Sequence, residues 1–196
     1  MKSKWDQFAL LLIDVQKDFW SDEMEKNFPH FRENVASLLK LCRHEGIEVI
    51  HIRGRFSPDK SDWMPIYQLG RKMPCVEGTE GIELLPEAAE LPGEIVKDKQ
   101  SFDGFLMDEL EPHLQHYQRR FLLTAGLITS VCVFLTTVSA MQRGYLTAIV
   151  EDCCADELAA HEHTLNRYSF MFERTTVRQL PEQYQKWQQM IAQLEN

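Results

Sequence analysis

The sequence lacks a basic surface, a long apolar run and any pattern of paired cysteines, and each absence removes a class of function. Its 21 Lys and Arg against 30 Asp and Glu leave a net charge of −9. With no Lys/Arg cluster, the phosphate contacts that nucleic-acid binding requires have no source. No apolar stretch approaches the roughly 20 residues that cross a bilayer, so membrane insertion is not expected. The opening Met1-Lys-Ser-Lys-Trp-Asp leads directly into an apolar strand without the order of a cleavable signal, which makes the cytoplasm the expected location. The five cysteines, Cys42, Cys75, Cys132, Cys153 and Cys154, are odd in number and include no Cys-x-x-Cys pair, as suits a reducing compartment. Repeats, linkers and low-complexity tracts are also missing. The 196 residues suit one domain over 1–196 with a substantial core. The expected partner is a small molecule, and a homo-oligomer (dimer or tetramer) is expected.

What the chain does contain is an alternation of strand-like and helix-like segments, the pattern of a wound α/β sheet. Phe8-Ala-Leu-Leu-Leu-Ile reads as a buried first strand ending in Asp14. Phe28, Phe31, Val35, Leu38 and Cys42 then recur at helical steps, and Gly46 stands where a C-cap would. Ile47 to Arg53 is strand two. Residues 54–92 are rich in Pro and Gly and carry Trp63 and Tyr67 without a long periodic run, so they read as an extended loop with short helical turns. Such loops are usually functional or mobile. Strand three is Glu94 to Val96, running into Lys99, and a helix covers about 106–117. Strand four is 121–125, a helix begins near Ser130, and strand five is Tyr145 to Val150. A helix over about 156–167, a short strand near Met171 to Arg174 and a last helix complete the order. In that helix Tyr184, Trp187, Ile191 and Leu194 are in register, to pack on the body or on a neighbouring subunit. The expected fold is a single-domain, three-layer wound and mostly parallel sheet of about six strands with helices on both faces.

Cys132 is the residue with most chemical potential. It follows the buried strand Phe121-Leu-Leu-Thr-Ala and a Gly126 turn, in what reads as the first turn of a helix. The positive end of the helix dipole there favours thiolate. Strands one and three end in Asp14 and Lys99, and in a parallel sheet the carboxyl ends share one edge, above which ligands bind. An acid, an amine and a thiol can therefore converge. Ser130 lies nearby, but nothing like Gly-x-Ser-x-Gly surrounds it. Taken singly, Asp14 reads as an N-cap, Lys99 as a surface charge and Cys132 as a small core residue.

Three segments together carry a resemblance over nearly the whole chain. They are Asp14-Val-Gln16-Lys-Asp18-Phe19, Lys99 ahead of Asp103-Gly104-Phe105, and the run from Gly126, Leu127 and Ile128 through Cys132 and Val133 to Thr136. Gly144-Tyr145 and the acidic Glu151-Asp152 follow in order. This set resembles the isochorismatase-like, or cysteine, hydrolases, with Asp103 in place of the usual small Ser. The resemblance implies a catalytic triad of Asp14, Lys99 and Cys132 and hydrolysis of a C–N bond in a small amide, ureide or imide through a thioester. It also implies a second oxyanion donor, the N–H of Ile128, across a cis Leu127–Ile128 peptide, beside the N–H of Cys132. Members that cleave the vinyl ether of isochorismate often carry Gly at the position of Cys132. Vinyl-ether hydrolysis, or a silent binding or assembly role, are the alternatives. Nicotinamidases of the family hold a metal with an Asp and several His in the loop after strand two. Gly54 to Leu91 here contains no His, so neither a metal nor any other cofactor is expected.

Other residues have bland readings beside functional ones. His161 and His163 stand two apart on a helix and point away from each other, which suggests a solvated surface. Cys153 and Cys154 read as one residue toward the sheet core and one toward the helix layer, with no redox role. Asp18 reads as orienting its loop. Trp20, Trp63, Phe102 and Phe105 are candidate walls of an apolar substrate pocket. Arg53, with Arg55, is a candidate for holding a substrate carboxylate, against a surface ion pair.

Overall fold

Phe8–Ile13 forms β1, and all six residues are buried, which requires cover on both faces of the strand. The computed structural model describes residues 3–194. The other strands are β2 (Glu48–Gly54), β3 (Ile95–Lys99), β4 (Phe121–Leu127), β5 (Leu146–Ala155) and β6 (Glu173–Thr175). They form one sheet in the order β3-β2-β1-β4-β5-β6, parallel at every pairing. Sequence order reverses direction between β1 and β4. That reversal opens a crevice above their carboxyl ends.

The helices are α1 (Asp22–Asn27), α2 (Phe31–Glu45), α3 (Pro65–Gln68), α4 (Leu110–His116), α5 (Phe134–Gln142), α6 (Leu158–Arg167) and α7 (Leu180–Leu194). Helix α2 buries Phe31, Val35, Leu38, Leu39 and Cys42 on one face and ends at Gly46 with φ 71°, the left-handed stop that the spacing predicts. Phe28 is not on it. It caps α1, an unanticipated helix whose Asp-Glu-Met-Glu-Lys-Asn sequence has no apolar face and which starts where Ser21 Oγ accepts the Met24 N–H. Helix α4 starts later than expected because 104–106 form a 3₁₀ turn, capped by the Asp103 carboxylate on the Phe105 N–H. Helix α7 packs on the body itself. Trp187 stacks on Phe121 with ring centroids 4.6 Å apart, and Tyr184 meets Trp5 edge-on at 4.6 Å.

β3 and β5 outrun their expected ends furthest, and β4 runs two residues further, to Leu127. β3 continues to Lys99, although Lys97-Asp98-Lys99 breaks the apolar run, because its backbone pairs along β2 from Ile50 to Gly54. β5 continues to Ala155 across a register shift opposite Thr124 and Gly126. The shift lies beside a close approach of β4 to β1. Gly126 has φ +125°, and a Cβ there would lie 1.9 Å from the Ile13 carbonyl oxygen.

The long loop between β2 and β3 is tied down by the residues after β1. The Gln16 amide accepts the Gly54 N–H and donates to the Gly54 and Ile82 carbonyls, each at 2.9 Å. The Asp18 carboxylate accepts the Cys75 N–H at 2.7 Å, the loop-orienting part expected of it. Phe56, Met73 and Cys75 form a small apolar cluster of their own beneath the loop.

Candidate active site

The carboxyl ends of β1, β3 and β4 bring three reactive side chains into one closed space. Asp14 follows β1 with φ 51°, and its N–H donates to the Ile52 carbonyl at 2.8 Å, so the turn carries its side chain inward. It is fully buried and does not act as an N-cap. Lys99 closes β3, is 2% exposed, and its ammonium has three neighbours: Asp14 Oδ2 at 2.7 Å, the Ser101 carbonyl at 2.8 Å and Cys132 Sγ at 3.6 Å. The ammonium donates hydrogen bonds to the carbonyl and the sulfur, and its contact with Asp14 is an ion pair. Both Asp14 carboxylate oxygens are buried with no hydrogen-bond partner. A Cβ on Gly54 would sit 3.7 Å from Asp14 Oδ1 and equally far from Cys75 Cβ, an ordinary contact distance, so the loop borders the carboxylate here.

The electrostatic balance differs from the expected thiolate. Burial and then the Asp14 charge push the Cys132 thiol well above its usual range, and Lys99 only partly offsets them. Burial also works against the Lys99 charge, but Asp14 and Cys132 outweigh it and the amine is raised. These directions favour the protonated thiol beside the Asp14–Lys99 ion pair. A second anion in this enclosed space costs more than one lysine returns. The dipole argument also weakens, because Cys132 lies in a single π-turn, Thr129–Val133, ahead of α5.

That π-turn sets the backbone around Cys132. The Leu127–Ile128 peptide is cis, as the resemblance implies. The Ile128 carbonyl accepts the N–H groups of Val131 (3.2 Å) and Val133 (3.3 Å). The Ser130 N–H donates to Asp156 Oδ2 at 2.8 Å, and Thr129 Oγ1 pairs with His161 Nδ1 at 2.8 Å. His161 is thus half-buried against the turn, its ring edge-on to Phe28 with centroids 4.9 Å apart, and burial lowers its pKa. The solvated reading holds only for His163. Asp156 and the inward role of His161 had one sequence signal, an acidic residue between a strand and a helix. That signal is shared with ordinary caps.

The candidate pocket aromatics pack against different neighbours. Trp20 stacks on Phe31 at 4.7 Å and donates to Glu25. Trp63 belongs to the loop cluster and donates to the Ser57 carbonyl at 2.8 Å. Phe105 packs 5.9 Å from Tyr145, beyond the end of α5 remote from Cys132. Phe102 faces Tyr67 at 6.4 Å. The Arg53 guanidinium is paired with Asp98 at 2.9 Å, and Arg55 with Glu77 and Asp98, so both are engaged in ion pairs. Cys153 and Cys154 are both fully buried. Among the described residues, no group of three or more His, Cys, Asp or Glu is placed to hold a metal ion. Nor is any helix long and apolar enough to cross a membrane.

Comparison with known proteins adds to this geometry. The family model described as "Isochorismatase domain" matches residues 8–179. A maleamate amidohydrolase of Pseudomonas putida is 30% identical over 155 residues, covering 76% of this chain and 72% of that protein. An uncharacterized isochorismatase family protein of Bacillus subtilis, YddQ, is 28% identical over 172 residues, covering 83% of this chain and 88% of its own. The crystal structure of an isochorismatase family protein from Desulfovibrio vulgaris superposes with a TM-score of 0.81 at 26% identity, covering 90% of this chain and 97% of that one.

Proposed function

This chain belongs to the isochorismatase family, and from that premise we propose that it is a cysteine-dependent hydrolase cleaving the C–N bond of a small amide, ureide or imide. The observation that carries the reading is the convergence of Asp14, Lys99 and Cys132, with the ammonium 2.7 Å from the carboxylate and 3.6 Å from the sulfur. A neutral thiol beside a buried carboxylate is a nucleophile with its base in place. On attack, the thiol proton passes to Asp14 as sulfur bonds to the substrate carbonyl carbon. The oxyanion is held by the N–H groups of Ile128 and Cys132. Lys99 keeps Asp14 oriented and balances the charge that builds on sulfur. Asp14 then gives the proton to the leaving nitrogen, and the C–N bond breaks to leave a thioester. Water, deprotonated by Asp14, attacks the thioester and releases the acid and the thiol. The maleamate amidohydrolase among its relatives supports a C–N bond as the target, and so does a Cys rather than Gly at position 132.

The closure over Cys132, which is 5% exposed, is the observation that favours the alternative of a silent binding member. Turnover separates the two. Wild type should release ammonia from at least one member of a panel of small amides, ureides and imides. Cys132→Ala should lower that release at least about 10³-fold without unfolding the protein, and Asp14→Asn should be nearly as damaging. Wild-type release by Cys132→Ala would refute the covalent mechanism, and no release by wild type would favour the silent member.

A further inference from the structure

The turn that carries Cys132 is gripped from outside the triad by two residues to which the reaction above gives no part. Asp156, 5% exposed at the end of β5, uses both carboxylate oxygens: Oδ2 accepts the Ser130 N–H and Oδ1 accepts the Glu157 N–H, each at 2.8 Å. One residue earlier in the turn, the fully buried Thr129 hydroxyl pairs with His161 Nδ1 at 2.8 Å, and the His161 ring rests on Phe28. Residues 129 and 130 lie between Ile128 and Cys132. Both are thus fastened to the junction of β5 and α6, 26 and 32 positions away in sequence.

A helical first turn leaves its N–H groups without partners, and a local side chain ordinarily caps them. A local cap would stabilise this turn without fixing where it sits. A cap supplied by a neighbouring strand fixes it relative to the sheet, and the sheet carries Asp14 and Lys99. We propose that Asp156 and His161 are positioning residues, which hold the turn so that the Ile128 and Cys132 N–H groups meet at one oxyanion position. This rests on the hydrolase reading. Misplacing reacting groups by about 1 Å costs on the order of 10²-fold, so the grip should be visible in turnover.

The test uses Asp156→Ala, Asp156→Asn and Thr129→Val in the full chain. Ammonia release is measured on whichever panel compound wild type hydrolyses, beside iodoacetamide alkylation of Cys132, amide exchange at Ser130 and thermal midpoint. For Asp156→Ala, kcat should fall roughly 10- to 100-fold with KM within about threefold. Ser130 exchange should rise while alkylation stays at the wild-type rate, since alkylation needs the sulfur and no oxyanion donors. Asp156→Asn keeps an acceptor oxygen and should recover to within about fivefold of wild type, and Thr129→Val should lower kcat with the same signature. Unchanged kcat in Asp156→Ala overturns the proposal. So does an Asn variant as impaired as Ala, or a parallel fall of kcat, alkylation and thermal midpoint, which marks a packing role. If Asp156→Ala does not fold, the other two variants decide by the same criteria. Failure of wild type to hydrolyse any compound overturns the hydrolase reading and this proposal with it, whereas a variant-specific result bears on this proposal alone.

Discussion

Replacing Lys99 by Met removes the cation that Asp14 faces at 2.7 Å. It leaves a fully buried carboxylate neither of whose oxygens has a hydrogen-bond partner. Breaking one side of a buried pair costs about 3–5 kcal/mol, because the remaining charge is stranded. For a domain of this size each kcal/mol moves the midpoint by roughly 2–4 °C, so Lys99→Met should melt roughly 6–20 °C below wild type at neutral pH. Adding Asp14→Asn removes the stranded charge, and the double variant should regain most of that loss, a coupling of about 3 kcal/mol. Neither protein should turn over, since one lacks the charge partner and the other also lacks the base. The pH dependence has a definite sign. Lys99 is raised above its ordinary 10.5 in the folded protein, mainly because Asp14 and Cys132 outweigh burial. Its stabilisation is therefore fully present below 10.5 and lost as pH rises through the raised folded value. Calorimetry or circular dichroism on the four proteins of the cycle is sufficient. A Lys99→Met midpoint within about 2 °C of wild type would refute the reasoning, as would a double variant no more stable than the single one.

Further outcomes follow from the same structure. Glu94 accepts from Arg43, the Leu91 N–H and His51, and although burial opposes its charge, these partners hold its carboxyl down at about 2 from 4.5. That is worth up to about 3 kcal/mol, present above pH 4.5 and lost as pH falls toward 2. Acid titration should show wild type converging on Glu94→Gln in that window, and a constant difference down to pH 2.5 would contradict it. Gly126→Ala should destabilise by roughly 4 kcal/mol or more, or prevent folding, because its Cβ would collide with the Ile13 carbonyl. Urea denaturation indistinguishable from wild type would show that β1 and β4 have room to part there. Dialysis against EDTA should leave ammonia release unchanged, because the loop after β2 supplies no His; a stoichiometric metal with chelator-sensitive activity would overturn this.

The sheet and the meeting of Asp14, Lys99 and Cys132 were legible because each of the three ends or follows a strand and parallel pairing aligns strand ends. Asp14 after Phe8–Ile13 and Cys132 after β4 needed no more than that rule and the motif spacing. Lys99 was found by its motif although β3 was read too short, since Lys97 and Asp98 hide an edge strand from any apolar pattern. Helix α1 was invisible for the opposite reason: six residues without an apolar face are held by the Ser21 cap and by their place in the chain. His161 was misread because spacing on an isolated helix says where a side chain points and not what comes to meet it. Thr129, 32 positions earlier, is what meets it.

The resting state of Cys132 was illegible on still other grounds. Sequence supplies the signs of the neighbouring charges, one acid and one amine, and on signs alone they cancel, leaving the helix dipole to favour thiolate. Distance and enclosure decide otherwise, because all three groups share one space from which water is excluded, and the ammonium is already matched by the carboxylate. Burial, and then the Asp14 charge, therefore favour the protonated thiol over the thiolate. A thiol held this way is protected from casual oxidants and alkylators until a substrate enters and gives the transferred charge a place to go. Native Cys132 should accordingly react with iodoacetamide at neutral pH more slowly than a free thiol, and rapid alkylation there would return the reading to a resting thiolate.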